Sequence, residues 1–310
     1  MFTNKLLRKI LLLFLSSIFI LGGCQTQPAR NLSSQKFRRI ISLSPHMTEL
    51  LYALGQEKRL VGVTDYCQYP PQAKEKEHIG GFLNPNLEKI IALRPDLLLG
   101  VPANAELARK LKAEHLPVVM LPNDQLKDIF FTIDSLGRLL NCQSRARQLQ
   151  QSIHDSLNFY KQKVQALKLG TVKAMLVIGR DPGATTHLTV VGPHTFIDSV
   201  WAFVGGVNVF SDLPAKYAQV SRENILLKQP ELIIEFKFNQ PWNAARDSLN
   251  KLEWSTLKGI PAVQTGNIFV LTGNYTLIPG PRVYLLAKDF YHILRRVAAK
   301  YQTRDRQKQR

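Results

Sequence analysis

The chain has 310 residues, of which 45% are hydrophobic, and a formal net charge of +18. This length accommodates two modest domains, and no apolar run after the N-terminal one is long enough to span a membrane. A strongly basic protein invites a nucleic-acid interpretation. The basic residues are, however, spread along the chain, and the N-terminus described next indicates export. We therefore expect no nucleic-acid partner, and interpret the charge as solvated surface with some affinity for anionic membranes or ligands.

The N-terminus has the anatomy of a signal peptide. Lys5, Arg8 and Lys9 precede an apolar run over 10–21, which is shorter than the roughly 20 residues of a spanning helix. Because small residues then lead into Cys24, the segment resembles a bacterial lipoprotein signal. This predicts a signal peptide over 1–23, lipid on the Cys24 thiol, a flexible tether over 24–37, and a location at the periplasmic face of a bacterial membrane. The alternatives are an ordinary secretory signal and an anchor helix that happens to be followed by a cysteine.

Two further cysteines remain in the mature chain. Cys67 and Cys142 could form one disulfide in an oxidising compartment. Because sequence does not give their geometry, both the bonded and the free state stay open.

The first half of the mature chain alternates short apolar strands with helices. Strands are predicted over 39–42, 60–63, 97–100 and 118–121, and helices over 45–54, 86–93 and 105–113. The Pro- and Gly-rich stretch 66–83 is predicted to be a loop. This alternation indicates a parallel α/β lobe over 38–142.

A long helix is predicted next. Residues 144–168 contain neither Gly nor Pro, and their apolar residues recur at helical spacing. We interpret the segment 143–169 as a connector between two lobes, although one more packing helix is the alternative.

The α/β pattern then resumes over 170–300. Strands are predicted over 173–178, 232–235 and 268–271, and helices over 195–204, 221–227 and from about 281. The basic stretch 301–310 has almost no apolar content and is predicted to be a disordered tail.

The sequence contains an internal repeat. Residues 88–99 match residues 223–234 without a gap, with Pro95 on Pro230 and Asp96 on Glu231. The repeat predicts two lobes of related design with a ligand cleft between them. The predicted fold class is therefore α/β, with two Rossmann-like lobes joined by one long bridging α-helix.

Motifs for catalysis are absent from the sequence. It has no phosphate-binding Gly-Lys-Ser/Thr loop, no nucleophile elbow and no His-Glu-x-x-His. The seven histidines form no close ligand pair. We therefore expect a binding protein without catalytic residues, cofactor or resident metal. The alternatives are an exported α/β enzyme on a related frame, or a metal-ion scavenger using His46 and His194.

Several motifs together resemble one family. The stretches 39–55, 61–71, 80–88 and 219–223 are similar to periplasmic binding proteins of ABC importers for iron-siderophores, haem and vitamin B12, and most resemble the cobalamin-binding member. The resemblance covers about residues 37–298. It implies a rigid bridging helix, a monomer, and two partners: an iron-siderophore, haem or cobalamin-type ligand, and an ABC permease dimer in the inner membrane.

The resemblance also implies a ligand site. Aromatic side chains at Tyr66, Phe82 and Tyr217 would grip a flat macrocycle or a catecholate, although the cobalamin-binding member has tryptophan where this chain has Phe82 and Tyr217. The other ligand-binding candidates are Asn84, His46, Arg180, Tyr275 and Arg282. The alternative for Phe82 and Tyr217 is packing within their loops. A structural role for Arg282 and a simple first-turn role for His46 also stay open.

Two glutamates are the predicted docking residues. Glu88 and Glu223 each follow a capping residue by two positions, and in the family one such glutamate from each lobe pairs with arginines of the permease. The alternative is that each acid simply complements its helix dipole, worth about 0.3–1 kcal/mol.

Overall fold

Two β-sheets form the frame of the protein. The computed structural model describes residues 37–181, 188–238 and 240–308, with residues 304–308 described by backbone alone. The predicted signal peptide, Cys24 and the tether up to residue 36 lie outside these residues. Phe37, which the predicted tether includes, is only 3% exposed and packs in the core. The folded part therefore begins slightly earlier than predicted.

The N-terminal lobe contains a fully parallel sheet in the order β3-β2-β1-β4-β5. Its strands are β1 (Ile40–Ser42), β2 (Leu60–Val63), β3 (Glu77–His78), β4 (Leu97–Gly100) and β5 (Val118–Met120), and its helices are α1 (Pro45–Ala53), α2 (Leu87–Ala92), α3 (Ala105–Ala113) and α4 (Leu126–Leu139). The predicted loop over 66–83 also holds β3 and a short 3₁₀ turn (Pro71–Glu75). Helix α4 was not predicted.

One long helix follows the N-terminal lobe. Helix α5 (Gln143–Gln165) has 23 residues and lies in the chain between α4 and the second sheet, where the connector was predicted. It ends three residues before the predicted boundary at 168, and Lys168 has a positive φ of 51°.

The C-terminal lobe contains a mixed sheet in the order β11-β10-β6-β7-β9, with β8 beside β6. Its strands are β6 (Lys173–Gly179), β7 (Leu188–Val191), β8 (Val207–Asn208), β9 (Tyr217–Val220), β10 (Leu232–Phe236) and β11 (Ile268–Leu271), and its helices are α6 (Phe196–Phe203), α7 (Arg222–Lys228), α8 (Ala244–Trp254), α9 (Pro261–Gln264) and α10 (Val283–Lys308). Strand β7 runs antiparallel to β6 and β9.

The last helix differs from its prediction. Helix α10 continues through residues 301–308, so the predicted disordered tail is wrong for that stretch. Helices α5 and α10 pack against each other. Within the described part of the chain, no helix combines the length and the apolar character needed to cross a bilayer.

The sequence repeat has a structural counterpart in the two acids that it aligns. The Asp96 carboxylate accepts hydrogen bonds from the backbone N–H groups of Arg38 (2.7 Å) and Arg39 (2.9 Å). The Glu231 carboxylate accepts one from the backbone N–H of Lys173 (3.0 Å). Each acid therefore fixes the start of the central strand of its own lobe.

The helices of the repeat end in the same way. Arg94 and Gln229, which the repeat aligns, both adopt positive φ, at 45° and 46°. Each lies directly before the proline of its copy, where the α conformation is disfavoured. Both copies thus consist of a helix, a residue in the left-handed conformation that ends it, and a buried strand.

The core follows from the alternation of side chains along the repeated strands. One face of each sheet packs into a single hydrophobic cluster that both lobes share and that includes α5, α6 and α10. The opposite face of each sheet packs into a cluster that lies within its own lobe. The faces in the shared cluster include Leu97, Leu99, Leu232 and Ile234. The opposite faces include Leu98 in the N-terminal lobe and Ile233 in the C-terminal lobe.

Candidate functional site

A cavity of about 580 Å³ lies between the two lobes. Its lining residues are mostly apolar or aromatic. The N-terminal lobe contributes Ser44, Pro45, His46, Tyr66, Phe82, Leu83, Asn84 and Asn123, and the C-terminal lobe contributes Phe238, Leu277, Ile278 and Pro279. The cavity is therefore the cleft that the repeat predicted.

A constrained loop forms one wall of the cleft. Gly80 has a φ of 95°, and its backbone pairs with Pro85. The Asn104 side-chain amide donates a hydrogen bond of 2.9 Å to the Phe82 carbonyl. These contacts hold the turn that presents Phe82, Leu83 and Asn84, and Leu83 is 74% exposed at the opening.

The start of α1 forms a second wall. The His46 Nδ1 lies 3.2 Å from Ser44 Oγ, whereas Nε2 is buried and has no hydrogen-bond partner among the described residues. Burial lowers the pKa of His46 to about 3. His46 therefore brings a neutral imidazole to the wall.

The structure brings together two of the three predicted aromatic residues. Tyr66 and Phe82 line the cleft, with Tyr66 54% exposed at the opening. Tyr217 is not a lining residue; partial burial, with a smaller effect of the Asp124 carboxylate, raises its pKa to about 12. Phe238 lines the cleft from the C-terminal lobe and is an aromatic residue that the sequence analysis does not predict there. Its place just after β10 could have revealed it, because ligands bind beyond the carboxyl ends of strands.

Arg180 does not lie at the cleft, contrary to its predicted role. Its side chain is 3% exposed and lies inside the C-terminal lobe. The guanidinium pairs with Glu235 (2.8 Å) and Glu253 (2.5 Å), and its carbon lies 5.5 Å from the centre of the Trp254 ring. These partners give Arg180 a structural role.

Arg282 and Tyr275 also lie outside the cavity lining. Arg282 forms a buried ion pair with Glu49, and the Tyr275 hydroxyl donates a 2.6 Å hydrogen bond to Asp289. The structural alternative for Arg282 therefore fits the geometry better than direct ligand contact.

The two predicted docking acids occupy equivalent places on the two lobes. Asn86 and Ser221 cap their helices by accepting hydrogen bonds from backbone N–H groups three residues on. Glu88 and Glu223 are exposed in the first turns, and neither forms an ion pair within the described residues. Hydrogen bonds from its own backbone N–H and from Ser221 lower the pKa of Glu223.

Potential metal ligands are not assembled in the described part of the chain. No group of three or more His, Cys, Asp or Glu side chains there is arranged to hold a metal ion. His194 is exposed just before α6. Cys67 and Cys142 are both free thiols.

Known proteins match this chain over both lobes. The family model for periplasmic binding proteins matches residues 40–275. The vitamin B12-binding protein of Vibrio parahaemolyticus is 29% identical over 253 residues, covering 81% of this chain and 87% of the relative. That of Vibrio vulnificus strain YJ016 is 30% identical over 274 residues, covering 87% and 93%.

Solved structures show the same arrangement. The periplasmic vitamin B12-binding protein BtuF of Vibrio cholerae has a TM-score of 0.69 at 29% identity, covering 86% of this chain and 99% of that one. The haem-binding protein RhuT of Roseiflexus has a TM-score of 0.70 at 22% identity, with coverages of 84% and 99%. At that identity the second match shows the fold alone.

Proposed function

Because the chain belongs to the periplasmic binding protein family, we propose that it captures a cobalamin-type ligand in the interlobe cleft and delivers it to the permease of an ABC importer. Its relatives are binding proteins, and their small molecules are transported ligands rather than cofactors. It is thus a substrate-binding protein and not an enzyme.

The uncharged lining of the cleft is the observation that favours a cobalamin-type ligand. The described lining residues include no Asp, Glu, Lys or Arg, and His46 is neutral. Haem propionates and anionic ferric siderophores call for arginine or lysine partners. A corrinoid instead combines a large apolar ring with neutral amide side chains. Phe82 and Phe238 suit the ring, and Asn84 and Asn123 suit the amides.

Haem is the second candidate, and His46 is the observation that favours it. A neutral imidazole is a good iron ligand, and the Nε2 of His46 has no hydrogen-bond partner in the part of the chain that the structure describes. Nε2 is covered in this structure, so iron coordination requires the side chain to turn toward the cavity.

Titration calorimetry distinguishes the ligands. The purified protein is titrated with cyanocobalamin, haemin and a ferric tris-catecholate, and we expect cyanocobalamin to bind most tightly. Phe82→Ala should weaken its binding at least tenfold, which corresponds to about 1.4 kcal/mol. Phe131→Ala, on the exposed face of α4, is the matched control and should bind normally. Tighter binding of haemin would favour the second candidate, and unchanged affinity in Phe82→Ala would place the ligand elsewhere.

We propose that Glu88 and Glu223 dock the two lobes onto a two-fold permease. Both acids are exposed and occupy matching positions. Removing one partner of a charge pair costs about 2–5 kcal/mol when the pair is buried, and less at an interface rim. The double variant Glu88→Gln, Glu223→Gln should therefore lose uptake in cells while keeping its ligand affinity in vitro.

Glu106→Gln is the control for docking, because Glu106 is also an exposed first-turn acid but lies outside the repeat. It should transport normally. If the double variant also transports normally, with only a small loss of stability, the two acids are helix-dipole partners and nothing more.

We propose that lipid on Cys24 anchors the protein. Cys24→Ser should lower the mass by the lipid and release the protein from the membrane fraction. An unchanged mass and distribution would contradict the anchor.

A further inference from the structure

A buried ion pair joins the two lobes beside the cleft. The Arg282 guanidinium donates from Nε to Glu49 Oε2 (2.9 Å) and from Nη2 to Glu49 Oε1 (2.5 Å). Glu49 lies in α1 of the N-terminal lobe, and Arg282 lies directly before α10. Glu49 is 3% exposed and Arg282 9%. Two parallel bonds between planar groups fix orientation as well as distance.

The guanidinium is held from both lobes. Its Nη1 donates to Asn274 Oδ1 (2.7 Å) in the C-terminal lobe. The Tyr69 ring of the N-terminal lobe stacks on it, with 3.8 Å between the guanidinium carbon and the ring centre. Glu49, Tyr69, Asn274 and Arg282 together are called the interlobe clamp below.

The clamp lies directly against two walls of the cleft. His46, on one wall, precedes Glu49 by three residues and so shares its face of α1. A Cβ atom added to Gly280 would lie 3.2 Å from Glu49 Oε2 and 3.5 Å from the Cβ of His46. The stretch 277–279, which lines the cleft from the C-terminal lobe, therefore adjoins the clamp and α1.

We infer that Arg282 is a positioning residue: through the interlobe clamp it sets the spacing of the lobes and hence the width of the cleft. The consequence for ligand affinity rests on the proposed function, whereas the effect on lobe spacing does not. A ligand gripped between two walls loses contacts on one side if the spacing varies, because dispersion contacts fall off steeply with distance.

Arg180 provides a matched control. It is also a buried arginine paired with glutamates, Glu235 and Glu253, but all of its named partners lie within the C-terminal lobe. Arg282→Met leaves the buried Glu49 carboxylate without its cation. Arg180→Met removes the nearer cation of the buried Glu235, which keeps Lys237 at 3.2 Å. Both variants should therefore lower the melting temperature. Arg282→Met removes a contact between the lobes, whereas the contacts named for Arg180 lie within one lobe.

Pulsed electron resonance measures the spacing directly. Spin labels are placed at Lys110→Cys on α3 and Lys251→Cys on α8, which are exposed positions on opposite lobes. The background carries Cys24→Ser and Cys142→Ser, and retains the buried Cys67. In the ligand-free protein we expect Arg282→Met to broaden the label-to-label distance distribution, and Arg180→Met to leave it as in the parent.

Ligand binding gives the second readout. Arg282→Met should weaken cyanocobalamin binding at least tenfold, and Arg180→Met should not change it. Glu49→Gln, which keeps the side-chain shape, should reproduce the broadening if Arg282→Met fails to fold. A parent-like distribution in Glu49→Gln and Arg282→Met, or equal broadening in Arg180→Met, would overturn the inference. Because the distances are measured without ligand, they test the clamp even if the parent protein fails to bind cyanocobalamin.

Discussion

The aligned acids of the repeat predict unequal losses of stability. Asp96→Ala removes an acceptor that holds two backbone N–H groups at the start of β1, and Glu231→Ala removes one that holds a single N–H group at the start of β6. Both variants keep the neighbouring backbone bond, from Asp96 N to Arg39 O or from Glu231 N to Lys173 O, at 2.9 Å. The two changes therefore differ chiefly in the number of hydrogen bonds lost.

The size of the effect follows from that number. A hydrogen bond in a folded protein contributes about 1 kcal/mol net. Both acids are half-buried, so water can partly replace the lost acceptor, and the larger penalty of a fully buried orphan does not apply. We expect Asp96→Ala to lower the free energy of unfolding by about 2 kcal/mol, and Glu231→Ala by about 1 kcal/mol. Asp96→Asn, which keeps one acceptor oxygen, should fall between Asp96→Ala and the parent.

Urea unfolding followed by circular dichroism measures these losses. The slope of the free energy against urea should stay constant, so each loss appears as a lower midpoint. Glu106→Ala is the control, because Glu106 is exposed and pairs with Lys110 on the next turn of its helix. Its effect should be within about 0.5 kcal/mol. Equal losses for Asp96→Ala and Glu231→Ala, or a larger loss for Glu231→Ala, would refute the argument.

Three further outcomes are expected. Burial lowers the pKa of His46 to about 3, so between that value and about 6.5 only the unfolded chain protonates this side chain. The free energy of unfolding should therefore decrease as the pH drops through this window. Urea unfolding of His46→Gln should show a smaller decrease between pH 7 and pH 5 than the parent. Burial raises the pKa of the Cys67 thiol and that of the less deeply buried Cys142 thiol. A thiol reagent should therefore modify Cys142 slowly, and Cys67 only after unfolding. Loss of either thiol signal in the unfolded chain would indicate a disulfide. The exposed Lys216–Asp124 pair (2.5 Å) joins the lobes beside the cleft. Asp124→Asn should therefore change the rate constant of ligand dissociation, measured by stopped flow, by less than about fivefold at 50 mM salt and not at all at 1 M.

Much of the frame was predictable because it rests on local pattern. Buried strands such as Leu97–Gly100 and Ile268–Leu271 are short apolar runs bounded by turn residues, and their bounds were predicted correctly. The repeat correctly indicated two related lobes. Helix α4 was missed, although its apolar residues recur at helical spacing. The tail prediction failed for 301–308 because low apolar content does not end a helix that is already nucleated.

The site was predictable only in part, because its residues come from distant points of the chain. Of the residues that the resemblance implied as ligand contacts, Tyr66, Phe82, Asn84 and His46 line the cleft. It did not reveal that Arg282 meets Glu49 across 233 residues, since no local pattern encodes such a pair.

Arg180 was misplaced for a related reason. Its position after β6 suits a ligand contact, but three partners within its own lobe bind the side chain instead. No local sequence pattern indicates that these partners, rather than the cleft, determine where the Arg180 side chain lies.

The core shared by both lobes means that the repeat is not modular. Faces of both sheets, α5 and α10 bury their apolar side chains in one continuous cluster. A lobe separated from its partner would expose one side of its sheet to water, at a cost that grows with the apolar area uncovered. The two halves are therefore interdependent for folding and should unfold in a single cooperative step. Recombining lobes between relatives would require the facing surfaces of α5 and α10 to be exchanged together with the sheet that they cover.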